Sequence, residues 1–149
     1  MKHPGNVNDY TEQRTVELVR AYQKECAAAG TIRWKEIVRR VCESPCSRFW
    51  VSEERAAIVI SKMERGDDLS YLRKNRREMF REIYSRYLAV KAGRPGISFS
   101  EAAFIVVNQP APRFYLTPLT AYHDIQKYKR RCLKERKNKL RHLLSGVDL

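Results

Sequence analysis

The octet Pro45–Ser52, PCSRFWVS, returns 65 residues later as Pro110–Thr117, PAPRFYLT. Proline, arginine and phenylalanine keep their places, while Trp50/Tyr115, Val51/Leu116 and Ser52/Thr117 exchange like for like. Each copy carries one local instruction: a proline that stops a helix, an extended crossing with two aromatics, and a hydroxyl residue able to cap the next helix. The same shift aligns 32–66 with 97–131 without a gap. It brings Ile32/Ile97, Glu36/Glu101, Val41/Val106, Arg48/Arg113, Phe49/Phe114, Ala56/Ala121, Ile60/Ile125, Lys62/Lys127 and Arg65/Arg130 into register. Apolar class is kept at Trp34/Phe99 and Met63/Tyr128, and upstream at Leu18/Ile83, Val19/Tyr84 and Tyr22/Tyr87. A fixed internal offset is the mark of a repeated structural unit, running here from about residue 8 to 66 and again from about 73 to 131.

Each copy reads as three helices with a short extended segment before the third. In the first, Thr15, Leu18, Val19, Tyr22 and Cys26 recur at helical spacing, with Gly30 as the stop. Trp34, Ile37, Val38 and Val41 give a shorter helix ended by Pro45. After the extended crossing, Ser52 caps a third helix with Glu53 and Glu54 near its positive end, a buried stripe of Ala56, Val59, Ile60 and Met63, and Gly66 as its close. The second copy repeats the plan with Phe80, Ile83, Tyr84 and Tyr87, a stop at GRPG (93–96), then Phe99, Ala102, Ala103 and Val106. Thr117-Pro118 is a cap followed by proline at the first helical position. The last helix is expected to run past residue 131, because no glycine or proline intervenes before Gly146. The predicted fold is mainly α, with residues 1–66 as the first helical repeat and 67–149 as the second, extended by a basic C-terminal helix.

Thirty Lys and Arg against seventeen Asp and Glu leave a formal charge of +13. The imbalance is uneven: residues 1–66 carry 12 basic and 9 acidic side chains, and residues 67–149 carry 18 and 8. A surplus of this size favours a polyanionic partner, bound mainly by the second half. No apolar run reaches the roughly 18–20 residues needed to span a bilayer, and the N-terminal MKHPGNVND lacks the apolar core of a secretory signal. The expectation is a soluble, cytoplasmic protein that does not engage membranes. Cys26, Cys42, Cys46 and Cys132 are then expected as reduced thiols.

Catalytic and metal chemistry find little support. Cys42-x3-Cys46 has a zinc-like spacing, but His3, His123 and His142 are scattered, and Val107 and Ala111 replace the two cysteines in the second copy. No nucleophile signature and no phosphate-cradling glycine loop occurs. Glu36 and Glu101 recur as a pair that could hold magnesium in a nuclease, yet carboxylates on short exposed helices ordinarily serve as ion-pair partners. The sequence therefore points to a non-enzymatic protein with no cofactor and no metal.

The basic clusters carry the remaining signal. RKNRREMFREIYSR, residues 73–86, supplies Arg73, Arg76 and Arg77, and KYKRRCLKERKNKLR, residues 127–141, has nine basic residues against one acid. With three helices per unit, aromatic core positions at Phe80, Phe99 and Tyr115, and two units in tandem, the chain resembles Myb-like and homeodomain-like helix-turn-helix repeats. That resemblance implies duplex DNA binding. The expected phosphate contacts are Arg73, Arg76, Arg77, Lys127, Arg130, Arg131, Lys134 and Lys137, with Arg33, Arg39 and Arg40 on the second helix as contacts to bases or further phosphates. Two departures stand out: the links 43–51 and 108–116 are long for a helix-turn-helix turn, and the third helix of the first copy balances three basic against three acidic side chains. Arg48 and Arg113 are either further phosphate contacts or, on the plainer reading, cover an aromatic or bond loop carbonyls. DNA is the expected partner ahead of RNA. The alternative is a helical interaction module that docks on an acidic protein or forms a homo-oligomer through Ile125, Tyr128, Cys132, Leu140, Leu143 and Leu144.

Overall fold

A computed structural model describes residues 7–30 and 33–146. Ile32, partner of Ile97 in the alignment, lies outside them. Six helices follow in order: α1 (Val7–Ala29), α2 (Trp34–Cys42), α3 (Glu53–Glu64), α4 (Lys74–Gly93), α5 (Phe99–Val107) and α6 (Pro118–Ser145). Their ends obey the punctuation in the sequence. Gly30 and Gly66 take φ of +66° and +93° just past α1 and α3, a conformation that costs other residues energy. The Ser52 hydroxyl accepts the Arg55 amide at 3.1 Å, and the Thr117 hydroxyl accepts the Thr120 amide at 3.2 Å. The two caps are thus equivalent residues making the same bond.

Packing departs from chain order. α1 lies on α2 and α4 lies on α5, but α3 packs against α4 and α5 while α6 packs against α1 and α2. Neither α2 with α3 nor α5 with α6 forms a packed pair. Each three-helix cluster therefore borrows its third helix from the other half of the chain. This exchange explains the long links: each is a crossing from one half to the other.

The crossings meet at the centre. Cys46 and Ala111, 65 residues apart, exchange both backbone bonds at 3.0 Å. Outward from this pair, the Phe49 amide donates to the Val107 carbonyl at 3.0 Å and the Phe114 amide to the Cys42 carbonyl at 3.1 Å. Equivalent residues thus perform equivalent tasks about an approximate two-fold axis. Phe49 and Phe114 are both buried. Among the described residues the expected extended segments amount to this one isolated bridge, because each crossing turns into its next helix before it can pair further.

One continuous apolar core joins the halves, built from Leu18, Val38, Val41, Phe49, Val59, Ile60, Phe80, Ile83, Tyr87, Val106 and Ile125 among others. Burying each such side chain contributes about 1.5–3 kcal/mol. Two expected core aromatics are not buried: Trp34 is 42% exposed and Phe99 39%. Each opens a short helix and reaches only the rim of the core. There Trp34 stacks on Tyr122 at 4.1 Å, and Phe99 tilts against Tyr87 at 5.9 Å. Phe80 is buried and Tyr115 is half-buried. All four cysteines are free thiols. No described helix is long and apolar enough to cross a membrane.

Candidate nucleic-acid interface

Helix α6 is 28 residues long, about 42 Å at 1.5 Å per residue. Its first half buries Ala121 and Ile125 against α1 and α2, whereas every residue from 133 to 146 is exposed. Half the helix is therefore anchored and half stands clear of the core. Lys127, Arg130, Arg131 and Lys134 recur at intervals of three, one and three, which places them on one face, and Lys137 and Arg141 continue the row.

The anchored part of this row lines a groove of about 550 Å³ between α1 and α6, walled by Thr11, Glu12, Thr15, Asp124, Tyr128 and the four cations. Three carboxylates temper it. Arg131 pairs with Glu12 at 2.9 Å and approaches Glu135 at 4.0 Å, and Arg14 reaches Asp124 at 3.3 Å. Lys127, Arg130 and Lys134 meet no described carboxylate within ion-pair distance and are exposed to solvent. Such side chains can exchange counterions for phosphates with little rearrangement.

The remaining expected contacts, Lys137 apart, are dispersed. Arg39 donates to Glu36 at 2.6 Å and Arg40 forms an ion pair with it at 3.8 Å, and both share their depression with Glu36 and Glu43. The Arg39 hydrogen bond is the first cause holding the Glu36 carboxyl below its usual range, so this pairing neutralises the end of α2. Arg33 and Arg73 sit at the N-caps of α2 and α4, both exposed and neither capping by its side chain. Arg77 follows in the first turn of α4, and Lys137 lies on the free stretch of α6. Arg76 turns toward a different cavity, where it meets Arg14 and Arg55. Those two arginines belong to no basic run, and only the packing of α1 and α3 brings them to Arg76.

The arginines of the repeated octet are structural. Arg48 lies over Tyr10 and Trp50, at 4.5 and 5.6 Å, and donates to the carbonyls of Phe49 and Val51 at 3.1 and 3.0 Å. Arg113 lies over Tyr115 at 4.6 Å and pairs with Glu43 and Glu78. The recurring Glu101 pairs with Arg94 at 3.5 Å. Glu36 and Glu101 thus serve in separate surface ion pairs, and among the described residues no group of His, Cys, Asp and Glu is disposed to hold a metal ion. Compared with protein-family models, curated proteins and solved structures, the chain matches none.

Proposed function

We propose that the protein is a non-enzymatic nucleic-acid-binding protein that grips duplex DNA through α6, as a duplicated helix-turn-helix-like unit with exchanged third helices. The observation that carries this reading is the single row of cations running from the α1–α6 groove onto the free end of α6. In the cluster of α1, α2 and α6, α6 takes the place of the third helix, the one that lies in the groove of DNA in helix-turn-helix proteins. Its free half can meet a duplex without disturbing the core. Affinity would come from phosphates, since a run of lysine and arginine supplies charge more than base readout.

The test is an electrophoretic titration with duplex DNA, single-stranded DNA and RNA at about 50 and 200 mM salt. Duplex is expected to be retained first and to be released steeply as salt rises. Protein freed of nucleic acid that leaves duplex unshifted at low salt would overturn the reading.

One observation favours a second reading. Leu133, Leu140, Leu143 and Leu144 are 54–68% exposed on the free stretch, an apolar strip suited to a helical partner or a second copy. Deleting 133–149 separates the two: loss of duplex binding with an unchanged oligomeric state by light scattering supports DNA recognition. Loss of self-association with duplex binding intact supports an interaction module.

A further inference from the structure

Beside the α1–α6 groove, and sharing Thr11 with it, lies a smaller cavity of about 130 Å³, lined by Tyr10, Thr11, Arg14, Trp50, Val51, Ser52, Arg55 and Arg76. Three arginines, one each from α1, α3 and α4, line it. Asp124 compensates one of them, through Arg14, while Arg55 and Arg76 meet no carboxylate within ion-pair distance among the described residues. The Arg14 Nε is buried with no hydrogen-bond partner, a donor whose loss of water nothing in the protein offsets. Arg76, although exposed, has its pKa drawn below the usual arginine value, first by partial burial of its guanidinium and then by the charges of Arg55 and Arg14.

The surrounding backbone adds to the positive field. α3 begins beside Ser52, and Arg76 stands in the first turn of α4, which has no acidic residue and no side-chain cap. Positive helix ends are ordinarily matched with acids. Glu53 and Glu54 lie in the first turn of α3 but do not line the cavity. Like charges held together around an unmet buried donor are costly in the empty protein and favourable once an anion enters.

We propose that this cavity is a phosphate-binding site, with Arg14, Arg55 and Arg76 as its ligands. The volume equals about four waters at roughly 30 Å³ each, enough for one phosphate group. Thr11 lines both this cavity and the DNA groove, so the phosphate can belong to a nucleic-acid backbone leaving the groove or to a small phosphorylated molecule. The site stands without the DNA reading, since its chemistry is complete in either case.

Thermal unfolding with inorganic phosphate, against sodium chloride of matched ionic strength, tests it. Millimolar phosphate is expected to raise the melting temperature of the unmodified chain. Arg76→Gln and Arg55→Gln are expected to melt higher than the parent in phosphate-free buffer, because repulsion is relieved, and to lose the phosphate response. An absent response, or an equal one in both variants, overturns the proposal. Titration of the folded protein followed by Trp50 fluorescence gives the same reading without unfolding, since Trp50 lines the cavity and Trp34, stacked on Tyr122, does not. Where the phosphate response is confirmed, weaker duplex affinity of Arg55→Gln identifies a backbone phosphate as occupant. Unchanged duplex affinity identifies a small phosphorylated ligand, and failure of duplex binding alone leaves the phosphate response standing.

Discussion

Cys46 lies at the centre of the crossing, where its thiol donates toward the carbonyls of Arg48, at 3.1 Å, and Arg113, at 3.4 Å. Those arginines are themselves 65 residues apart. Ala111 fills the equivalent place without a donor, so a small residue fits where the backbones touch. Burial first, and then the charge of Glu17, pushes the Cys46 thiol up to about 12, and burial first, then Glu43, takes Cys42 to about 11, against an ordinary value of 9.0. Both folded values stand above the unfolded one, so the associated stability is fully present below about pH 9. It is lost as pH rises through about 11 to 12. Cys46→Ala should cost about 1 kcal/mol at pH 8, from the lost volume and hydrogen bond. Urea unfolding at pH 8 and pH 10.5 should show that deficit shrinking, because both proteins lose the Cys42 contribution but only the parent loses that of Cys46; parallel losses would contradict this account of Cys46.

At the scale of elements, the exchange of third helices puts polar chemistry in one half where the other has apolar chemistry. Arg14 on α1 pairs with Asp124 on α6, with about a fifth to a quarter of each side chain exposed, while the equivalent positions on α4 and α3 hold Met79 and Val59, both buried. Asp124→Val alone should destabilise by about 2 kcal/mol, since it strands a partly buried guanidinium. The double change Arg14→Met and Asp124→Val copies the apolar pair and should recover most of that loss. Chemical denaturation of both variants checks it, and a double variant no better than the single one would mean that the two halves pack differently there. Helix limits and caps were legible in the sequence because Ser52, Thr117, Gly30 and Gly66 act through neighbouring backbone. The exchange was not legible, since the stripe of Ala56, Val59 and Ile60 looks the same whichever half it covers. The long links alone hinted at it. Likewise the cations of α6 could be read from their density, whereas Arg14 and Arg55 become a site only through tertiary packing. Trp34 and Phe99 read as core because periodicity reports a face and not its depth.

Taken as a whole, the molecule is a two-fold core with an asymmetric charge. α3 ends at Glu64 and is closed by Gly66, whereas α6 continues through Ser145, so the cationic face projects from one cluster only. That asymmetry argues for one duplex-binding edge formed by α6 rather than two equivalent ones. The most direct measurement is fluorescence anisotropy of a labelled duplex across about 50–200 mM salt, for the parent and for the triple variant Lys127→Gln, Arg130→Gln and Lys134→Gln. Five phosphate contacts, from Lys127, Arg130, Arg131, Lys134 and Lys137, predict a slope of log K against log salt of about −4.5, and the triple variant should flatten it by about 2.7. A parent slope near zero, or a triple variant with the parent's slope, would contradict the claim that α6 meets the phosphate backbone.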